Sequence, residues 1–356
     1  MERGMSKVER GKWKVERGRW KSVLPLLLLA ALLLSSARED KVTTIFIIGD
    51  STAANKTGIA EGKQERGWGM ALQCYFDPEY IRVDNHAVNG RSSLSFINEG
   101  RWQKVLEKMK PGDYVVIQFG HNDEKDKPDR HTDPGSTFDY NLAKFVRETR
   151  EHGGIPILMN CVVRRKFAEQ AADIDDDEKL RNTTFDDGFK GHEGDTLIDT
   201  HGLYRVAPRD VAQRMNCHFV DANQITHDLE QGLGMEGSKK LHLWYLPGEE
   251  PSEPKGKQDN THYNIYGAHV VARLLADAIC EEIPVLARYR IAADITVDRE
   301  GRGNYLSLEK ALENVDPSKA YTIQLLGGEW QKPQLPKKSK ITFVLREGAS
   351  WQDGSE

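Results

Sequence analysis

The 356-residue sequence is poor in several signals that would have settled its class early. It has four cysteines, Cys74, Cys161, Cys217 and Cys280, too far apart for any Cys-x-x-Cys pair. Three disulfide pairings of four cysteines are conceivable, and the spacing selects none of them. Cys161 follows a strand-like run, which suits a buried thiol as well as a bridge. The histidines show neither His-Glu-x-x-His nor paired ligand spacing, which speaks against a metal-dependent deacetylase. No Gly-x-Ser-x-Gly elbow occurs, which disfavours the α/β-hydrolase arrangement. Gly58–Lys63 lacks both the length and the Ser/Thr of a phosphate-binding P-loop. Long apolar runs are scarce as well. Val23–Leu34 is too short to span a bilayer, but it follows a basic stretch, Met1–Lys21, and precedes small residues. Ser35 and Ala37 are spaced like the −3 and −1 positions of a cleavage site, so residues 1–37 are expected to be a signal peptide. A short membrane anchor is the lesser alternative. Within that segment Lys7–Trp13 nearly repeats as Lys14–Trp20, and two copies are too few for a repeat fold.

What is present is a soluble balance of 38% hydrophobic and 29% charged residues, with a formal net charge of −5. The expected signal peptide carries a net positive charge, so the exported chain is more acidic still. Such a surface repels phosphate backbones and anionic lipids, so no nucleic-acid partner and no lasting membrane insertion are expected. The destination is expected to be secreted or periplasmic. Strand-like runs at Thr43–Ile48, Tyr80–Val83, Tyr114–Phe119, Ile155–Met159 and His218–Val220 alternate with helical patterns. Those patterns cover Trp68–Tyr75, Trp102–Lys108, Phe138–His152, Leu203–Met215 and Asn264–Glu282, with Asn264 as an N-cap. The alternation predicts an α/β fold with a central parallel sheet, whose ligands bind outside the carboxyl ends of the strands.

The loops leaving those ends carry the chemistry. Ser51 follows a buried strand in Gly49-Asp50-Ser51-Thr52. A hydroxyl needs a base to take its proton and a third group to orient that base. Asp259-Asn260-Thr261-His262 supplies both on what reads as a short loop before the last helix. Each motif alone has a plainer reading, an N-cap for Asp-Ser and a satisfied surface turn for Asp-x-x-His. The set is completed by donors for a tetrahedral oxyanion: the N–H groups of Ser51 and Gly90, and the Asn122 amide in Gly120-His121-Asn122-Asp123.

Taken in this order, Gly-Asp-Ser, Gly, Gly-x-Asn-Asp and Asp-x-x-His resemble the blocks of the SGNH hydrolases. Closer still is the likeness to rhamnogalacturonan acetylesterases. It rests on Asn85-His86-Ala87-Val88-Asn89-Gly90-Arg91-Ser92-Ser93, Gln118–Asp123, Asp199-Thr200-His201-Gly202-Leu203-Tyr204 and Asp259–Asn264. The resemblance covers roughly residues 42–283. It implies a three-layer α/β/α sandwich, flavodoxin-like in topology. It also implies Ser51, Asp259 and His262 as a triad, Ser51, Gly90 and Asn122 as the oxyanion hole, no cofactor or metal, and removal of O-acetyl groups from a pectic polysaccharide. An SGNH lipase or thioesterase, an esterase of another acetylated glycan and, less readily, a non-catalytic carbohydrate-binding protein are the alternatives. Arg91 and Trp68 are candidate sugar contacts through a uronate carboxylate and ring stacking, against plainer readings as a structural ion pair and a packed aromatic. Departures from the family pattern are His86, Met70 and an acidic insertion between Arg165 and Asp199 with Asp173, Asp175, Asp176, Asp177 and Glu178. That insertion lacks the EF-hand offsets and reads as a solvated loop.

From Asp294 the pattern changes to Ile295–Val297, an amphipathic stretch Leu308–Val315, and strand runs Tyr321–Leu326 and Lys340–Leu345. Over residues 291–351 this resembles the opening rungs of a pectin methylesterase β-helix, without that family's catalytic aspartates. The expected organisation is a signal peptide over residues 1–37, an esterase domain over 38–289 and a partial β-helix-like segment over 290–356.

Overall fold

A computed structural model describes residues 42–168, 196–316, 318–346 and 348–352. The expected signal peptide and the acidic run from Asp173 to Glu178 lie outside the described residues.

In chain order the elements are β1 (Thr43–Gly49), β2 (Glu65–Arg66), α1 (Trp68–Ala71), β3 (Ile81–Asn85), α2 (Ser93–Asn98), α3 (Arg101–Lys108) and β4 (Tyr114–Gln118). Then come α4 (Thr137–Glu151), β5 (Ile155–Met159), α5 (Leu203–Met215), β6 (His218–Val220), α6 (Ala222–Gly237), β7 (His242–Tyr245), β8 (Lys257–Asn264) and α7 (Ile265–Glu282). The C-terminal part adds β9 (Ile295–Val297), α8 (Leu308–Glu313), β10 (Ala320–Leu325), β11 (Gly328–Trp330), β12 (Lys340–Leu345) and β13 (Ala349–Trp351).

Five strands form an all-parallel sheet in the order β3-β1-β4-β5-β6. Successive side chains of a strand point to opposite faces. Ile45 and Ile47 of β1 accordingly join one buried cluster with Trp68, Leu72, Val271 and Leu275, under α1 and α7. Phe46 and Ile48 join the other with Phe96, Trp102, Phe145 and Val211, under α2 to α5. Every residue of β4 is buried, as a parallel strand covered on both faces requires. The result is a three-layer α/β/α sandwich.

The long helix α7 is fixed at its start by Asn264, whose side chain accepts from the Gly267 N–H at 2.9 Å. Gly267 is required there: a Cβ would stand 1.9 Å from the Leu241 carbonyl oxygen. Several elements depart from the sequence reading, among them α2 and β7, which it did not contain. The stretch Trp68–Tyr75 is one α-helical turn continued by a 3₁₀ turn, Leu72–Tyr75. The Asp259–His262 segment is not a free loop but part of β8, antiparallel to β7 and β2. Helix α6 was not anticipated, because Gly232, Gly234 and Gly237 break its pattern; Gly234 interrupts it with φ 70°.

The C-terminal part holds two small sheets, both parallel, β12-β10-β9 and β11-β13. It has its own apolar cluster, with Val297, Ile323, Leu325 and Trp330 buried. Gln324 Nε2 donates to the Cys74 carbonyl at 2.7 Å, and Arg66 Nε donates to the Gly301 carbonyl at 3.1 Å. The described residues from Val42 onward are therefore one compact unit. All four cysteines are free thiols, and the buried Cys161 is one of them. No helix among the described residues is long and apolar enough to cross a membrane.

Candidate active site

In the sheet order β3-β1-β4 the chain reverses direction of travel across the sheet, and the loops leaving these three neighbours meet at one edge. They carry Ser51, Gly90 and Asn122. The turn after β1 is shaped by Asp50. Its carbonyl accepts the N–H groups of Ala53 and Ala54, and its carboxylate accepts both N–H and Oγ1 of Thr52 at 2.9 and 2.8 Å. Asp50 is wholly buried, and that burial pushes its carboxyl upward. Ser51 is left half-exposed at the tip.

His262 Nε2 lies 2.9 Å from Ser51 Oγ, and Asp259 Oδ2 lies 2.9 Å from His262 Nδ1. The other Asp259 oxygen accepts the backbone N–H groups of Thr261 and His262 at 2.8 and 2.9 Å. Burial pushes the Asp259 carboxyl up, but the hydrogen bond and charge of His262, with those two N–H groups, outweigh it and hold the group below its ordinary range.

Gly90 has φ 73°, a left-handed conformation that a glycine adopts without penalty. Among the described residues neither the Gly90 N–H nor the Ser51 N–H has a hydrogen-bond acceptor. Asn122 is buried, and its amide donates to the Arg91 carbonyl at 3.2 Å, which commits one of its two hydrogens.

Groups outside the motifs brace this arrangement. Asp123 Oδ1 accepts Ser93 N–H, Ser93 Oγ and Thr132 Oγ1 at 2.9, 2.5 and 2.9 Å, tying the β4 loop to the start of α2 just beyond Gly90. Burial pushes its carboxyl up to about 7, against those hydrogen bonds. Glu124 sits between Arg164 Nη2 and His201 Nδ1, the latter at 2.9 Å. Burial pushes Glu124 up, and the Arg164 and His201 charges bring it net below its ordinary value. The His201 of the Asp199–Tyr204 block thus reaches the site through Glu124. Arg165 Nη1 and Trp244 Nε1 both donate to Asn260 Oδ1, at 2.9 and 2.8 Å, holding the residue beside Asp259.

His121, Glu124 and His201 bring three metal-capable atoms within 4.8 Å of one another. The Arg164 guanidinium already sits on Glu124 and 3.5 Å from His201 Nδ1, so the cluster holds its own cation. Among the described residues neither buried His121 ring nitrogen has a hydrogen-bond partner, and burial pushes that imidazole well below its ordinary value, leaving it neutral.

The two sugar-contact candidates fare differently. Trp68 is 0% exposed and packed in the core beneath α7, so it offers no face to a sugar; the packed-aromatic reading holds. Arg91 pairs with Glu99 through Nε at 3.0 Å, and its side chain stays 33% exposed. Of the departures, His86 pairs with Asp84 at 3.1 Å, and Met70 lines a cavity of about 220 Å³ with Cys74, Phe76 and Leu326.

Residues 47–264 match the GDSL-like Lipase/Acylhydrolase family. The chain is 34% identical over 262 residues to the rhamnogalacturonan acetylesterase RhgT of Bacillus subtilis, covering 74% of this chain and 97% of that protein. It is 26% identical over 241 residues to the rhamnogalacturonan acetylesterase of Emericella nidulans, covering 66% of this chain and 84% of that one. Among solved structures, the B. subtilis protein YxiM aligns with a TM-score of 0.50 at 23% identity, over 68% of this chain and 57% of that chain. That likeness speaks for the fold. The chain belongs to the GDSL-like lipase/acylhydrolase family, the SGNH hydrolases; it is a carboxylic ester hydrolase homologous to rhamnogalacturonan acetylesterases.

Proposed function

We propose that this esterase removes O-acetyl groups from a rhamnogalacturonan-type pectic polysaccharide through Ser51, His262 and Asp259. The observation that carries the mechanism is the line of 2.9 Å contacts from Asp259 Oδ2 to His262 Nδ1 and from His262 Nε2 to Ser51 Oγ. The substrate class rests on the acetylesterase relatives.

In the first half-reaction Ser51 Oγ attacks the acetyl carbonyl carbon while His262 Nε2 takes the hydroxyl proton. The carbonyl oxygen becomes an oxyanion in reach of the Ser51 and Gly90 N–H groups and the remaining Asn122 N–H. Collapse breaks the bond to the sugar oxygen, which leaves with the proton from His262, and an acetyl-Ser51 ester remains. Water then attacks that ester with His262 as base, and acetate and free Ser51 are the products. Asp259, ionised, holds the imidazole tautomer and balances its charge in each transition state. Arg91, beside Gly90 and with its side chain 33% exposed, would meet a uronate carboxylate of the polymer. Export follows from the residues 1–37 pattern, and N-terminal sequencing of the secreted protein should begin at Arg38.

The test compares acetate release from acetylated rhamnogalacturonan with hydrolysis of long-chain nitrophenyl esters, for the native chain and Ser51→Ala. Turnover on the acetylated polymer, lowered by about three orders of magnitude or more in Ser51→Ala, is expected. A preference for long acyl chains would move the enzyme to the lipase side of the family, and an active Ser51→Ala protein would end the serine mechanism.

A further inference from the structure

Lys56 belongs to none of the motifs, yet its ammonium lies at the base of the site. Its side chain is 4% exposed. Nζ donates to the Ser51 carbonyl and to Asn89 Oδ1, each at 2.7 Å, and forms an ion pair with Glu65 Oε1 at 2.7 Å. An ammonium has three hydrogens to give, and here it faces two hydrogen-bond acceptors and one carboxylate counter-ion. These partners come from three separate places: the turn that presents Ser51, the loop that presents Gly90, and β2. A buried charge is costly unless it is paired and fully hydrogen-bonded, so this one holds its surroundings to a narrow geometry. A second strut runs parallel to it, because Asn85 Nδ2 donates to the Ala53 carbonyl at 2.7 Å.

We infer that Lys56 is a positioning residue for catalysis: it ties the nucleophile turn to the Asn89–Gly90 loop, and so sets the distance between the two N–H groups that receive the oxyanion. The ammonium acts through Ser51 and Asn89 and touches no reacting atom. Its charge is balanced by Glu65, so its effect is geometric. A displacement of about 1 Å in such a site costs on the order of 10²-fold in rate. The inference rests on the serine-hydrolase reading of Ser51.

The experiment uses the full chain with 4-nitrophenyl acetate, whose small acetyl group reports on Ser51 and the oxyanion donors. Lys56→Met keeps the aliphatic stem and removes the three donors. Its kcat is expected to fall by about 10²-fold, with KM little changed. In a double-mutant cycle with Gly90→Ala the losses should be less than additive, because both changes spoil the same donor. Lys56→Arg keeps the charge beside Glu65, but its planar fork cannot serve three partners set around one nitrogen, so it should recover little activity. It also carries the test if Lys56→Met fails to fold. Native-like kcat in both variants, or additive losses in the cycle, would overturn the inference. A dead Ser51→Ala beside a fully active Lys56→Met would sink the Lys56 role alone, whereas an active Ser51→Ala would sink the reading beneath it.

Discussion

Asp259 holds His262 at two points: one carboxylate oxygen lies 2.9 Å from the imidazole Nδ1, and the other accepts the backbone N–H of the same residue at 2.9 Å. The first contact orients the ring, and the second fixes the backbone of β8 on which the ring is mounted. Asp259→Asn should therefore reduce kcat by roughly 10⁴-fold while the fold survives. Because the folded carboxyl sits below its ordinary value, the stability it gives is fully present above the unfolded carboxylate value. That stability is lost as pH falls through the lower, folded one. Thermal melts of native and Asp259→Asn protein should differ at neutral pH and converge as pH drops below about 4. A gap that stays constant to acid pH would contradict this.

Asn122→Ala should lower kcat by about 10²–10³-fold if its amide meets the oxyanion. The same truncation releases the Arg91 carbonyl, so part of the loss can come from loop movement. Asn122→Asp separates the two: it keeps the shape but puts an acceptor where the oxyanion forms, and it should be the slower enzyme. Steady-state kinetics on a small acetyl ester decide between them.

The buried Glu124–Arg164 pair gives a stability prediction. Arg164→Met leaves Glu124 charged without its guanidinium, at a cost of about 3–5 kcal/mol. Adding Glu124→Gln to it should restore much of the loss, and denaturant melts of the single and double variants read this out. Because Arg164 fills the cation position among His121, Glu124 and His201, EDTA should leave turnover unchanged. A rate that collapses in EDTA and returns with zinc would refute this.

Deletion of residues 290–356 tests the C-terminal part. It removes the Gln324 and Gly301 contacts with Cys74 and Arg66, so the shortened protein should melt at a lower temperature. Its kcat on a small acetyl ester should match that of the full chain, since the Ser51, Gly90, Asn122 and Asp259–His262 segments all remain. An insoluble or inactive product would make the C-terminal strands an integral part of the esterase.

The parallel sheet was legible in the sequence because two of its strand runs are near-continuous and apolar and alternate with helical patterns, and Ile155–Met159 and His218–Val220 fall where that alternation places them. The local setting of Asp259–His262 was not. Its residues are polar and flanked by Pro and Gly, which reads as a loop, and only the pairing with β7 and β2 makes it a strand. Trp68 stayed open between a sugar contact and a packed aromatic for a related reason. Proximity in sequence to the site says nothing about which way a side chain faces, and this one faces Ile47 and the α7 layer. Lys56, Glu124 and Arg164 escaped notice because a buried ion pair leaves no periodic signature in one chain. Their partners are separated from them by up to 77 positions, as in Glu124 and His201.

The three-residue spacing of Asp259 and His262 has a consequence for how this site withstands change. Base and carboxylate are carried as one cassette on β8, so an insertion or deletion elsewhere displaces both together and leaves their mutual distance intact. Only one long-range alignment, cassette to Ser51, has to be re-established after such remodelling. A triad anchored on three separate segments would have to restore two. Surrounding loops can therefore be lengthened, shortened or exchanged to suit new substrates with less risk to the proton-transfer pair itself.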